Sequence, residues 1–273
     1  MNEESARNGY SLIDIAGSVS RLMNIAPPAG ARTEIAPLVN ISGGRTVEKL
    51  LIYDPDAVAM WLWRKHPDFF VPVAKHTCLT LPVESVMKSV TPVCFASIYT
   101  GYKPCEHGIQ KYEKPVLKCD TLFDALLRAG KKVAIVAVAE CSIARIFLER
   151  DLDYYITASD RESIETAIRL LGEDKYDAIT LYNGSYDSTM HRSGVESEAA
   201  LSVLQQNAVD FDRVVTAAKK VWAGRNALFG WVTDHGAHDD EVSGRGSHGQ
   251  DIAEDMNVVH FWGTNLPACT PEQ

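Results

Sequence analysis

The residues that could do chemistry gather in one stretch near the C-terminus, WVTDHGAHDDEVSGRGSHGQDIAED, Trp231 to Asp255. A β-type apolar run, Ala227 to Thr233, stops at Asp234 and His235, and His248 follows in a glycine-rich loop. Carboxylate and imidazole side by side at a strand end suit a divalent ion that accepts both nitrogen and oxygen. A solvated polar loop is the alternative, and a lone Asp-His pair would be no more than that. Here the arrangement recurs upstream. Beyond the apolar run that ends at Tyr182, Asp187 and His191 stand four residues apart. That spacing puts both on one face if the segment is helical, and a loop could also converge them. Asp54 follows the run Leu50 to Tyr53. Taken alone, Asp54 or Asp56 would serve equally well as a helix N-cap or an Asx turn. Thr91-Pro92 has the form of a helix start, with Thr91 as N-cap and the proline in the first turn. The same start sets a hydroxyl beside unpaired N–H groups and the positive helix end, where phosphate binds.

The elements that must position these groups follow from the apolar patterning. Ser11 to Ile25 has helical spacing and ends before Pro27-Pro28. Leu50 to Tyr53 has the continuous apolar character of a strand buried on both faces, and a helix is expected over Ala57 to His66. Leu81 to Ile109 is expected to be a loop that enters a helix at Thr91. From Thr121 onward helices and strands alternate: strands over Lys132 to Ala139, Tyr154 to Thr157, Tyr176 to Tyr182 and Ala227 to Thr233, with helices between them. This order predicts an α/β fold, a single domain over residues 1–273 with a mostly parallel sheet sandwiched by helices. In such a sheet the strand C-termini share one edge, so Asp54, Asp187 and Asp234 would converge there. The seven groups Asp54, Thr91, Asp187, His191, Asp234, His235 and His248 could then hold two divalent ions, the clamp used for in-line phosphoryl displacement.

Composition narrows the partners. The 273 residues are 46% hydrophobic, enough for a large core, and the net charge of −9 leaves no global footprint for a nucleic-acid polymer. The longest apolar runs fall far short of the roughly 18 residues of a membrane span. The N-terminus, MNEESARNGYSL, lacks the basic and apolar regions of a secretory leader, so a cytoplasmic location is expected. The six cysteines are scattered without a CxxC pair, and reduced thiols are the simplest account of them.

Five motifs taken in order resemble the alkaline phosphatase superfamily, in particular its threonine-nucleophile branch of nucleotide pyrophosphatases and phosphodiesterases. Asp54 follows LLIY; Thr91 stands nine residues before Thr100 in TGYKPCEHGI; Asp187 and His191 form an Asp-x-x-x-His pair; Asp234-His235-Gly236 follows a late strand; His248 lies in GSHG. The match runs over roughly residues 47–263 and implies an alkaline-phosphatase-like core. The resemblance implies one metal on Asp187, His191 and His248, and a second on Asp54, Asp234 and His235 with the Thr91 oxygen. It implies Thr91 as nucleophile, a phospho-threonine intermediate, a small phosphorylated substrate and zinc as the usual ion, with manganese or iron also tolerated. Tyr112 occupies the place where the nucleotide pyrophosphatases carry a phosphate-contacting Asn, which makes it the candidate substrate-binding residue. The aromatic-Pro-Asn that commonly follows the nucleophile in that branch is missing from TPVCFASIYTG. A phosphomonoesterase or phosphomutase of the same superfamily, or a relic that only binds metal or phosphate, are the competing readings. Outside the seven groups, His107 is expected to pin a loop, His238 and Asp239 to stand behind the ligands or in solvent, and Glu254-Asp255 to support the His248 loop.

Overall fold

The computed structural model describes residues 9–266. The N-terminal leader reading and Cys269 lie outside the described residues. The strands are β1 (Lys49–Pro55), β2 (Leu79–Glu84), β3 (Val133–Val138), β4 (Asp153–Thr157), β5 (Ala178–Asn183), β6 (Ala227–Trp231), β7 (His238–Asp239), β8 (Gly246–Ser247) and β9 (Asn257–Thr264). Seven of them form one sheet in the order β2-β9-β6-β1-β5-β3-β4, and β7 pairs with β8 in a separate ribbon. β1, β5, β6, β3 and β4 run parallel, whereas β9 is antiparallel to both β6 and β2. The expected mostly parallel sheet is present.

Strand alternation divides the core. Leu50, Ile52, Ile135 and Leu228 pack into one cluster, with Val19, Val93, Ile98 and Ile143 from helices on that face. Leu51, Tyr53, Val136 and Phe229 face the opposite cluster, with Ile164, Leu204, Phe211 and Val215 from the helices Asp160–Glu173 and Glu198–Val221. A strand buried on both faces thus feeds two cores, which is why its sequence is apolar throughout.

The segment before Thr91 differs from expectation. Leu79–Glu84 is a strand, not a loop, and β9 completes the antiparallel side of the sheet. β2 carries Pro82 and alternates in burial, as a sheet edge permits, so its sequence lacks the continuous apolar signal. Thr91 is the first residue of the helix Thr91–Thr100, and Val90, in extended conformation, is its cap. The thiol expectation also changes: Cys78 is disulfide-bonded, while Cys94, Cys105, Cys119 and Cys141 carry free thiols. The disulfide stands against the uniformly reduced thiols expected of a cytosolic chain. Among the described residues no helix is long and apolar enough to cross a membrane.

His260, on β9, is fully buried, and its Nε2–H donates to the Thr233 carbonyl at 2.7 Å. Its Nδ1 has no hydrogen-bond partner, and burial pushes its pKa down to about 4. The unfolded chain takes up this proton below about 6.5, whereas the folded chain resists it until about 4. The unfolded state therefore binds more protons in that window, and stability rises with pH across it. This one group should contribute about 3 kcal/mol of that rise. Urea unfolding of metal-free protein at several pH values should show the slope, and His260→Gln should flatten it.

Candidate metal centre

The C-terminal ends of β1, β5 and β6 bring the site together. β1 and β5 stay in register through Pro55 and Asn183, and the Asp56 N–H donates to the Asn183 carbonyl at 3.0 Å. The chain then turns at Ala57, whose φ of 65° lies in the left-handed region. The Ala57 N–H donates to Asp234 Oδ1 at 3.2 Å and the Val58 N–H to Thr233 Oγ1 at 3.0 Å. The turn after β1 is thereby fastened to the turn after β6. Asp187 and His191 lie on the helix Ser185–Ser193, which follows β5 directly.

Two three-ligand groups result. In the first, His191 Nε2 lies 3.1 Å from Asp187 Oδ1 and 3.1 Å from His248 Nε2, and His248 Nε2 lies 3.4 Å from Asp187 Oδ1. In the second, His235 Nε2 lies 3.4 Å from Asp56 Oδ1 and 3.2 Å from Asp234 Oδ2. Bonds of about 2.0–2.2 Å to a tetrahedral ion separate neighbouring ligand atoms by about 3.3–3.6 Å. The observed edges are close to that spacing. Thr91 Oγ1 lies beside the second group, 3.4 Å from Asp56 Oδ2 and 3.5 Å from His235 Nε2. The His235 and His248 rings stack with centroids 4.0 Å apart, so the two groups share a wall.

The outer contacts prepare every histidine in the same way. His191 Nδ1–H donates to the Gly246 carbonyl at 2.8 Å, His235 Nδ1–H to Gly236 at 2.9 Å and His248 Nδ1–H to Ser89 at 3.0 Å. Each bond fixes the tautomer and leaves Nε2 with its lone pair toward the group. The His248 bond also ties the first group to the segment just before Thr91.

The carboxylates are the costly part. Asp56 Oδ1, Asp187 Oδ1 and Asp234 Oδ2 are buried with no hydrogen-bond partner. Burial pushes the Asp56 carboxyl up, and the Asp234 and Asp187 charges push it further. Burial likewise raises Asp234 to about 7. Burial would raise Asp187 too, but the His191 and His248 imidazoles facing it outweigh burial and hold that carboxyl below the usual range. Burial lowers His235 and His248, which favours the neutral imidazole that binds metal. Anionic oxygens buried without donors are stabilised by cations, so the residues present fit two divalent ions.

A cavity of about 260 Å³ opens beside Thr91, lined by Asp56, Asp187, Tyr112, Lys114 and Cys141 among others. Lys114 Nζ donates to the Glu140 carbonyl at 2.7 Å and lies 5.2 Å from the centre of the Tyr112 ring. Burial pushes the Cys141 thiol up to about 12, so it stays protonated at the cavity wall.

No family model matches the chain, and no curated protein sequence does. Solved structures do. Murine ectonucleotide pyrophosphatase/phosphodiesterase 5 superposes with a TM-score of 0.59 at 18% identity, over 71% of this chain and 58% of that one. An inactive threonine-to-alanine variant of the murine protein, in complex with AMP, gives 0.59 at 17% identity over 71% and 59%. Phosphonoacetate hydrolase from Sinorhizobium meliloti 1021, in complex with phosphonoacetate, gives 0.52 at 17% identity over 74% and 60%. The chain shares the fold of these structures, with its mostly parallel seven-stranded sheet flanked by helices. It spans 58–60% of the length of those three structures.

Within this core, six of the seven residues singled out from the sequence come together: Thr91, Asp187, His191, Asp234, His235 and His248. Asp54 does not join them, and Asp56 stands in its place. This corrects the sequence expectation. β1 runs on to Pro55, so Asp54 is still inside the sheet, paired with Tyr182. Its carboxyl accepts the Tyr99 hydroxyl at 2.5 Å, and burial raises its pKa well above the usual range. Asp56, one residue past the strand, faces His235 and accepts the Tyr182 hydroxyl at 2.5 Å. A glycine at position 57 would have marked the turn, but Ala57 adopts the same conformation without that signal. Tyr112 lies at the cavity, 62% exposed. Lys114 and Tyr182 were not singled out from the sequence, and no spacing signal marks either. His107 pins its loop, donating from Nε2 to Ser97 Oγ at 3.1 Å and accepting the Ile109 N–H at Nδ1 at 3.2 Å.

Proposed function

We propose that the protein is a metal-dependent phosphoester hydrolase of phosphodiesterase type that uses Thr91 as nucleophile on a small phosphorylated substrate. The observation that carries this reading is the pair of three-ligand groups with orphaned carboxylate oxygens, the second group lying beside Thr91, whose hydroxyl is 3.4 Å from Asp56 Oδ2. Asp187, His191 and His248 would hold one ion; Asp56, Asp234 and His235 would hold the other, with Thr91 Oγ1 beside it. Divalent ions there would acidify the Thr91 hydroxyl and an attacking water, and neutralise phosphoryl oxygens.

The chain's own residues do the rest. Thr91 opens a helix of ten residues, so its oxygen stands at the partially positive end where a phosphoryl group is favoured. Loss of its proton lets Oγ attack phosphorus, expelling the ester oxygen and leaving a phospho-threonine that water then hydrolyses. Tyr182 holds Asp56 through its hydroxyl and keeps that carboxylate aimed at the Thr91 side. Lys114 and Tyr112 supply a cation and a phenol at the cavity, suited to non-bridging oxygens of a small substrate. The inactivity of the murine neighbour's threonine-to-alanine variant supports a threonine nucleophile here. Zinc suits the imidazole-rich first group, and the oxygen-rich second group also accepts manganese or iron.

Bis-p-nitrophenyl phosphate and p-nitrophenyl phosphate, each assayed with added zinc or manganese, test the reading. Turnover of the diester above the monoester, abolished by a chelator and restored by metal, is expected. Turnover that survives complete metal removal would overturn it.

A further inference from the structure

We infer that Asp255 is a positioning residue that sets both metal groups in register; this rests on the metal-dependent reading above. The second group takes His235 from the start of one loop, and the first takes His248 from its end. Between them β7 and β8 pair His238 with Ser247 and Asp239 with Gly246, so the loop is a narrow hairpin. Asp255 holds both arms of that hairpin. Its Oδ1 accepts from His238 Nδ1–H at 2.7 Å, and its Oδ2 accepts the Gln250 N–H at 2.8 Å. Its main-chain carbonyl accepts the Gly236 N–H at 2.8 Å. Gly236 adjoins His235, and Gln250 follows His248 by two residues.

Neither His238 nor Asp255 belongs to either ligand group. His238 spends its donor on Asp255, and its Nε2 accepts from the Gln250 side-chain amide at 2.9 Å. The imidazole thus links the carboxylate to the far arm a second time. Asp255 is fully buried and lies just before Asn257, the first residue of β9. The sheet therefore fixes Asp255, and Asp255 fixes the arms. The fit leaves no slack: a Cβ on Gly236 would lie 1.9 Å from the Glu254 carbonyl oxygen. Ligand atoms must be held to within about 0.5 Å for tight binding, so one buried carboxylate that sets both arms governs both ions.

The test is zinc titration into metal-free protein, followed by calorimetry, with melting of the metal-free protein as the structural control. Asp255→Ala is expected to weaken both ions by about 10–100-fold. Asp255→Asn should restore near wild-type affinity, since its amide can accept the Gln250 N–H and donate to His238 Nδ1 in the other tautomer, whose Nε2–H then donates to the Gln250 side-chain oxygen once that amide turns over. A merely structural Asp255 would lower the melting temperature of Asp255→Ala and leave zinc affinity as in wild type. That result, or a loss confined to one ion, would overturn the inference. Should Asp255→Ala give no cooperative melt, His238→Ala decides: weakening of at least one ion by about 10-fold is expected, and wild-type affinity for both would overturn it. Wild-type protein that binds no zinc would instead defeat the metal-dependent reading itself.

Discussion

Thr91→Ala is expected to lower turnover by roughly four to six orders of magnitude while the protein still binds two ions per chain. The size follows from the role. Removing a nucleophile removes the covalent step, and what remains is the acceleration from bound ions and substrate positioning alone. Retention of metal follows from the geometry. The ligand group beside Thr91 comprises Asp56, Asp234 and His235, and each is anchored independently of the hydroxyl. Asp56 accepts from Tyr182, Asp234 from the Ala57 N–H, and His235 donates to the Gly236 carbonyl. The change also loses only a small group at a site 4% exposed, so the fold should persist. Metal analysis and steady-state kinetics on the same preparation check both halves. Turnover within tenfold of wild type would remove Thr91 from the mechanism.

The second large effect separates two aspartates that stand two residues apart. Asp56→Ala should strip the ion from the Thr91 side and reduce turnover by about three orders of magnitude or more. Asp54→Asn should leave metal content and turnover near wild type. Burial raises the Asp54 carboxyl well above its usual range, and that carboxyl already accepts one hydroxyl, from Tyr99. An amide oxygen takes over that bond without placing a new charge in the core. The stability cost of Asp54→Asn should stay within about 1–2 kcal/mol by urea unfolding. If Asp54→Asn loses metal and Asp56→Ala retains it, the assignment of the second group is reversed.

The contrast between these aspartates shows how far the sequence could be read. Asp187 with His191, and Asp234 with His235, were legible because each pair combines its two residue types on one short segment. His248 was legible through its glycine-rich setting. The parallel sheet was legible because strands buried on both faces have continuous apolar runs, as in β1 and β5. Asp54 against Asp56 turned on a strand end, and a strand that runs two residues further shifts the ligand from one to the other. Nothing in Asp-Pro-Asp-Ala fixes that end. β2 escaped notice because an edge strand alternates and tolerates proline. Asp255 was expected only to support the His248 loop; its bonds to His238 and Gln250, like that of Lys114 to Glu140, run between separate segments, and local patterning does not encode them.

Anomalous diffraction from crystals of the zinc-loaded protein is the most direct test of the central claim. Two ions are predicted, one bound by Asp187, His191 and His248, the other by Asp56, Asp234 and His235 with Thr91 Oγ1 at its side. A single ion, or an ion bound by Asp54 in place of Asp56, would contradict it.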